Sequence, residues 1–146
     1  MGRGQGLPVM TRLVVLDNEA VQALASVRHP KHQRVLGHME AVERRKRQVA
    51  AISLLVPAAV RVEAGWDRTS PQWAFLNRLR ITDVPLDAVH ANAAAAIHER
   101  TQVSVADAHI GTTLQLAPNA DVTVITSDPG DIRRVAGDRS VTVVAI

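Results

Sequence analysis

The sequence predicts an α/β fold, a three-layer α/β/α sandwich around a mostly parallel central sheet. Short apolar runs alternate with helical patterns along the chain, and such alternation is typical of a parallel sheet with helices on both faces. The first run, Leu13 to Leu16, is continuously apolar and is followed by Asp17, as expected for a strand that is buried on both faces. The 146 residues are enough for one domain with a sizeable core.

Apolar spacing, caps and helix breakers place the elements in order. After the first strand, residues 18–27 are predicted as a helix, which His29-Pro30 ends because the residue before a proline disfavours helix. The elements expected after it are a basic helix over 31–47, a strand from Val49 to Leu54, a helix from Pro57 to about Trp66, a helix over 71–79, a strand from Ile81 to Val84, a helix over 88–100 capped by Asp87, a helix over 105–116, a strand over 122–125, a short helix near 131–136 and a last strand over 141–146. Residues 1–9, with three glycines and one proline, are expected to be a flexible lead-in to a single domain over 10–146.

Composition excludes several functional classes. The chain has no Cys, which removes disulfides, thiolate zinc sites, iron–sulfur clusters and cysteine nucleophiles. Two Trp, one Phe and no Tyr are too few aromatic side chains for a base-stacking platform. No apolar run is long enough to cross a membrane, and residues 1–8 lack the apolar stretch of a secretory signal. We therefore expect a cytoplasmic protein.

Positive charge is concentrated in one stretch. The chain carries a net charge of +3, but residues 28–47 hold seven basic and two acidic side chains, a net +5, which leaves −2 for the rest. A basic stripe of this kind is typical of contact with nucleic-acid phosphates, although a solvated helix face has the same composition. The candidate RNA-binding residues are Arg28, Lys31, Arg34, Arg44, Arg45, Lys46 and Arg47.

Four carboxylates occupy positions that suggest a metal site. Asp17 and Asp128 each follow a predicted parallel strand, so both are expected at the same edge of the sheet. Glu63 and Asp107 lie on, or at the border of, the apolar stripes of predicted helices, where an ionised carboxylate needs compensation. No Lys follows Lys46 and no Arg shares those stripes. A divalent cation fits best, and oxygen ligands favour Mg²⁺ or Mn²⁺ over zinc.

Each of these acids also has a purely structural interpretation. The three aspartates suit helix N-caps or turns, where Asp is common because its side chain accepts backbone hydrogen bonds. Glu63 suits a surface ion pair with Arg61 or Arg68. The coincidence of all four at one expected rim of the sheet favours the metal site.

Four segments together resemble a PIN domain, and more narrowly the VapC ribonuclease toxins of toxin–antitoxin pairs. They are Val-Leu-Asp at the first strand, a helix ending Val-Glu-Ala-Gly, Ser104-Val-Ala-Asp107-Ala, and Thr126-Ser-Asp128-Pro-Gly-Asp131-Ile. The resemblance covers about residues 12–146. It implies that Asp17, Glu63, Asp107 and Asp128 are catalytic acids that bind Mg²⁺ or Mn²⁺, that Asp131 is an additional acid, and that Asn18, Ser104 and Thr126 support them by hydrogen bonds.

The same resemblance implies a function and partners. The function is metal-dependent endonucleolytic hydrolysis of RNA that yields a 5′-phosphate and a 3′-hydroxyl, by the toxin of a type II toxin–antitoxin system. The partners are RNA, a small cognate antitoxin and a second copy in a homodimer. Asn18 stands where the family has Thr or Ser, so an alternative remains: a PIN-like module that binds RNA or protein without cleavage. A receiver domain and a P-loop NTPase are disfavoured because the chain lacks a late Lys and a G-x-x-x-x-G-K motif.

Overall fold

A computed structural model describes residues 11–47 and 51–146 of the chain. The predicted lead-in over 1–9, and residues 49–50 of the second predicted strand, lie outside the described residues. The strands are β1 (Arg12–Leu16), β2 (Ile52–Pro57), β3 (Thr82–Val84), β4 (Asp121–Thr126) and β5 (Thr142–Ala145). They form one five-stranded sheet in the order β3-β2-β1-β4-β5, and every neighbouring pair is parallel. The predicted α/β class and parallel sheet are confirmed.

The helices connect these strands as predicted, with small differences at their ends. They are α1 (Asn18–Ala25), α2 (His32–Lys46), α3 (Ala58–Ala64), α4 (Ala74–Asn77), α5 (Ala88–Thr101), α6 (Val105–Gln115) and α7 (Pro129–Ala136). A 3-10 turn over Pro71–Trp73 precedes α4, so the helix expected over 71–79 is shorter and tighter. Within the described residues no helix combines the length and apolar character needed to cross a bilayer.

The strand order creates a reversal in the middle of the sheet. The chain proceeds outward from β1 to β2 and β3, and then returns to place β4 on the other side of β1. Right-handed crossovers that run in opposite directions place their helices on opposite faces of a sheet, which gives the expected three layers. The crevice at such a reversal, at the carboxyl ends of the strands, is where ligands bind in parallel α/β sheets.

The second strand differs from the prediction. We expected Val49 to Leu54, followed by a helix that begins at Pro57, but β2 runs from Ile52 through Pro57 and α3 begins at Ala58. The stretch from Val49 to Val56 is apolar except for Ser53, and periodicity alone does not place the ends of the strand within it. Pro57 suits both the first turn of a helix and a strand end because its backbone N–H is absent.

The core lies between the sheet and its helices. Val15, Leu16, Val56 and Val124 of the strands are almost completely buried, as is Ile110 of α6. These residues belong to one hydrophobic cluster that extends through most of the domain. The two tryptophans pack within the structure rather than on its surface, with ring centroids 6.2 Å apart.

Candidate active site

Asp17 lies at the carboxyl end of β1, directly at the reversal of the sheet. Its side chain is buried and caps α1, with Oδ1 accepting a hydrogen bond from the Ala20 N–H at 2.9 Å. Its Oδ2 accepts from the Ser127 N–H at 3.1 Å, which ties the end of β1 to the end of β4. Burial raises the pKa of Asp17 above its usual value, against the opposing effect of hydrogen bonds from Thr126, Ala20 and Ser127.

Asp128 lies beside Asp17 because β4 is paired with β1. Its backbone N–H donates to Thr126 Oγ1 at 2.9 Å, and its own Oδ1 accepts from the Asp131 N–H at 3.3 Å as the N-cap of α7. Thr126 is buried, and its side chain also hydrogen-bonds Asp17. A single threonine therefore connects the two aspartates.

Asp107 is the carboxylate on which the others converge. It lies half-buried in the first turn of α6, whose N-cap Ser104 accepts from the Asp107 N–H at 3.1 Å. Burial, followed by the negative charges of Asp131, Asp17, Glu63 and Asp128, raises the pKa of Asp107 to about 6. All five acids singled out in the sequence therefore lie in one electrostatic neighbourhood.

Glu63 is less buried than its sequence pattern predicted. Helix α3 buries Val60 and Ala64, whereas Glu63 is exposed, so the cost of burying a carboxylate does not apply to it. The two possible ion-pair partners of Glu63, Arg61 and Arg68, both contact Asp83 instead, at 2.7 and 2.9 Å. Glu63 thus faces solvent within reach of the charge on Asp107.

Asn18, at the start of α1, contributes to the position of α3. The Gln22 side-chain amide donates to Asn18 Oδ1 at 3.5 Å and to the Ala64 carbonyl at 3.1 Å. Asn18 and Gln22 therefore link the helix that follows Asp17 to the end of the helix that carries Glu63. Asn18 itself contacts Gln22 only, and Gln22 makes the contact with α3.

No protein-family model and no curated protein matches the chain. The fold is similar to the crystal structure of FitAcB from Neisseria gonorrhoeae, with a TM-score of 0.54 and 17% identity over 90% of this chain and 96% of that one. It is similar to the same degree to FitAB bound to an IR36 DNA fragment, with a TM-score of 0.54 and 17% identity over 89% of this chain and 94% of that one. The chain has the fold of a PIN domain.

The donor set of this PIN fold suits a hard divalent cation. Its acids offer carboxylate oxygens only, which are the ligands that Mg²⁺ and Mn²⁺ prefer. Within residues 11–47 and 51–146, no three His, Cys, Asp or Glu side chains stand close enough to bind one ion as they are placed. Like charges repel one another, so a cation between the acids would lower the free energy of bringing them together.

The basic stretch over 28–47 does not form one surface. Lys31 and His29 contact the carboxylate of Glu19 at 3.4 and 3.1 Å. Glu19 is two residues after Asp17 in the sequence, so this part of the stretch lies near the acids. Helix α2 then extends away from Glu19 for 15 residues, a length of about 22 Å at 1.5 Å per residue. Its far end lies at the opposite edge of the sheet, where Arg45 lines a cavity with the strand-start residues Arg12 and Asp121. Arg28, Lys31 and Arg34 are thus nearer the acids than Arg44, Arg45, Lys46 and Arg47.

The structure adds a basic group that the sequence argument did not include. Arg134 of α7 forms an ion pair with Asp131 and donates to the Thr101 carbonyl at 3.4 Å. Arg100 donates to the Arg134 carbonyl at 3.5 Å. Asp131 and Arg134 are three residues apart on a helix, a spacing that indicates an ion pair, whereas Arg100 comes from a different helix and carries no local signal.

Proposed function

We propose that the chain is a Mg²⁺- or Mn²⁺-dependent endoribonuclease and acts in the cytoplasm as the toxin of a toxin–antitoxin pair. The observation that carries the proposal is the convergence of four negative charges on Asp107 at the reversal of the sheet. Repulsion among these carboxylates raises the free energy of the folded chain unless a bound cation offsets it. The PIN fold and the resemblance of the site segments to VapC toxins support this reading.

In this proposal Asp17 and Asp107 hold the principal ion, and Glu63 and Asp128 complete its surroundings, partly through water. Asp131 is an additional acid close by. A bound Mg²⁺ or Mn²⁺ lowers the pKa of a coordinated water and neutralises phosphate charge. The chain's part is to hold the acids in position: Ser127 and Ala20 orient Asp17 through backbone N–H groups, and Thr126 connects Asp17 to Asp128.

Nuclease activity can be tested with purified protein and labelled single-stranded RNA. We expect cleavage that requires Mg²⁺ or Mn²⁺, stops with a chelator, and falls by about 100-fold or more in Asp107→Asn, because a neutral amide is a poor ligand for these ions. Asp138→Asn is the matched control, since Asp138 is an exposed carboxylate in the turn after α7 and should leave cleavage unchanged.

Two outcomes would contradict this proposal. Cleavage that survives both the chelator and Asp107→Asn would exclude the carboxylates as the metal-binding acids. A pure wild-type protein that binds RNA but cleaves none of a broad RNA pool would favour the alternative, a PIN-like binding module without catalysis.

The proposed partners have their own test. Expression of the chain alone should arrest bacterial growth, and co-expression with the product of a short reading frame beside its gene should relieve the arrest. Growth arrest by Asp107→Asn as strong as that by the wild type would contradict a toxic nuclease. We also propose a homodimer, and light scattering should give twice the chain mass of 15.8 kDa.

A further inference from the structure

His109 is a buried histidine two residues beyond Asp107 on α6. Its side chain is inaccessible to solvent, and both ring nitrogens have backbone partners. Nδ1 accepts a hydrogen bond from the Ala59 N–H at 3.3 Å, and Nε2 lies 3.2 Å from the Pro85 carbonyl. Because the Ala59 N–H donates to Nδ1, that nitrogen must carry a lone pair. The ring proton is therefore on Nε2, which donates to the Pro85 carbonyl.

The hydrogen bond from the Ala59 N–H to His109 replaces the N-cap hydrogen bond that α3 does not make within its own segment. The first N–H groups of a helix have no partner within the helix, and an N-cap side chain usually accepts from one of them. Here the N-cap is Pro57, which has no side-chain acceptor. The acceptor comes instead from His109, on the helix that carries Asp107.

The capped residue lies one turn before Glu63. Ala59 and Glu63 are four residues apart, so they lie above one another on the same face of α3. Helix α3 has only seven residues, and its other end is held by the Gln22 amide on the Ala64 carbonyl at 3.1 Å. His109 and Gln22 therefore hold the two ends of α3 from helices that carry or follow other acids of the site.

We propose that His109 is a positioning residue that sets the place of Glu63 relative to Asp107. The inference rests on the proposed function, since it concerns the geometry of the same carboxylate site. It does not require His109 to touch substrate or metal. A leucine at this position would fill the same volume but would leave the Ala59 N–H without its partner.

The test compares four single variants, Glu63→Gln among them, and one double variant. His109→Leu removes both hydrogen bonds, whereas His109→Asn keeps an acceptor near the position of Nδ1. Thr112→Val is the matched control: Thr112 is buried on the same helix and loses one hydrogen bond, from its hydroxyl to the Ala108 carbonyl at 3.1 Å. His109→Leu combined with Glu63→Gln measures whether His109 acts through Glu63.

Two readouts separate a positioning role from a general loss of stability. In His109→Leu the amide hydrogen exchange of Ala59, measured by NMR, should become about 5-fold faster, and Thr112→Val should not change it. The Mn²⁺ dissociation constant from calorimetry should rise about 10-fold in His109→Leu, recover in part in His109→Asn, and rise no further when His109→Leu is added to Glu63→Gln.

The two proposals fail in different ways. A wild-type protein that binds no Mn²⁺ and cleaves no RNA contradicts the proposed function and removes the site that His109 is proposed to serve. A wild-type protein that does both, with His109→Leu matching Thr112→Val in Mn²⁺ affinity and in Ala59 exchange, contradicts the role of His109 alone. Independent effects of His109→Leu and Glu63→Gln on Mn²⁺ affinity contradict it as well.

Discussion

At the scale of single residues, the unfavourable electrostatics of this site act mainly on the ionised carboxylate of Asp107. Its carboxyl group is half-buried and surrounded by the charges of four other acids, which together with burial raise its pKa to about 6. Its position in the first turn of α6 favours a negative charge through the helix dipole, but that contribution does not offset the burial and the repulsion. Without a cation, the ionised form of Asp107 therefore destabilises the folded chain.

We expect Asp107→Asn to raise the melting temperature of the metal-free protein at pH 7–8 by about 2–6 °C. The folded-state pKa of about 6 lies above the ordinary value of 3.8. The folded chain therefore takes up the proton first as pH falls, and wild-type stability rises between about pH 6 and pH 4. The advantage of the variant should shrink over that window, as measured by calorimetry in chelator.

Asp138→Asn is again the control for the loss of one negative charge. A variant Asp107→Asn that is less stable than the wild type at pH 8 in chelator would show that Asp107 is stabilising as an anion. That result would contradict the electrostatic interpretation of the site.

At the scale of elements, the placement of Asp107 depends on how closely α6 packs against α7. Gly111 of α6 allows this approach: a Cβ there would lie 2.8 Å from Val135 Cβ, 3.0 Å from Ile97 Cδ1 and 3.1 Å from the Val135 carbonyl oxygen. Gly37 of α2 is the opposite case, because a Cβ there would meet no atom of a packing neighbour within 4 Å. The two glycines serve as a matched pair.

Gly111→Ala should reduce the free energy of unfolding by about 1–3 kcal/mol, because the methyl group meets side-chain and backbone atoms of α7. Gly37→Ala should increase it by about 0.5–1 kcal/mol, because alanine loses less conformational entropy in an exposed helix. Urea denaturation measures both values. Equal effects of the two substitutions would contradict the close contact at Gly111.

At the scale of the whole molecule, the net charge of +3 is the sum of an acidic region at the carboxyl ends of the strands and a basic region at their amino ends. The acids gather at the carboxyl ends of β1 and β4, whereas the end of α2 lies at the amino ends of the strands, with Arg45 beside Arg12 and Asp121. An RNA that enters the acidic site needs cations beside it, because the carboxylates repel its phosphates. The start of α2 is closer to that position than its end.

We therefore expect Arg28→Ala/Arg34→Ala to weaken RNA binding more than Arg44→Ala/Arg45→Ala. All four arginines are exposed. Arg28 precedes α2 and Arg34 lies near its start, whereas Arg44 and Arg45 lie in its last turn, so the two double variants remove equal charge at different positions. Each lost phosphate contact should reduce the slope of log affinity against log salt by about 1, measured by fluorescence anisotropy with the Asp107→Asn protein to prevent cleavage. A larger loss in Arg44→Ala/Arg45→Ala would instead indicate an RNA path along the amino edge.

The sequence by itself determined the α/β alternation and the positions of the aspartates within it. Those features are local: the apolar run before Asp17, the Asp-Pro-Gly turn at Asp128 and the Ser104 cap of α6 are encoded by neighbouring residues. The same local patterns placed the second strand wrongly, because a mostly apolar stretch, broken only by Ser53, does not mark where a strand begins and ends.

Only the tertiary structure decided which of these residues meet. The return of the chain to place β4 beside β1 brings Asp17 and Asp128 together, and packing of α6 on α3 brings His109 to Ala59, 50 residues away in sequence. The direction of α2 divides a basic stretch that looks continuous in the sequence. Contacts of this kind depend on the order of strands and the packing of faces, and residue spacing along one element cannot encode them.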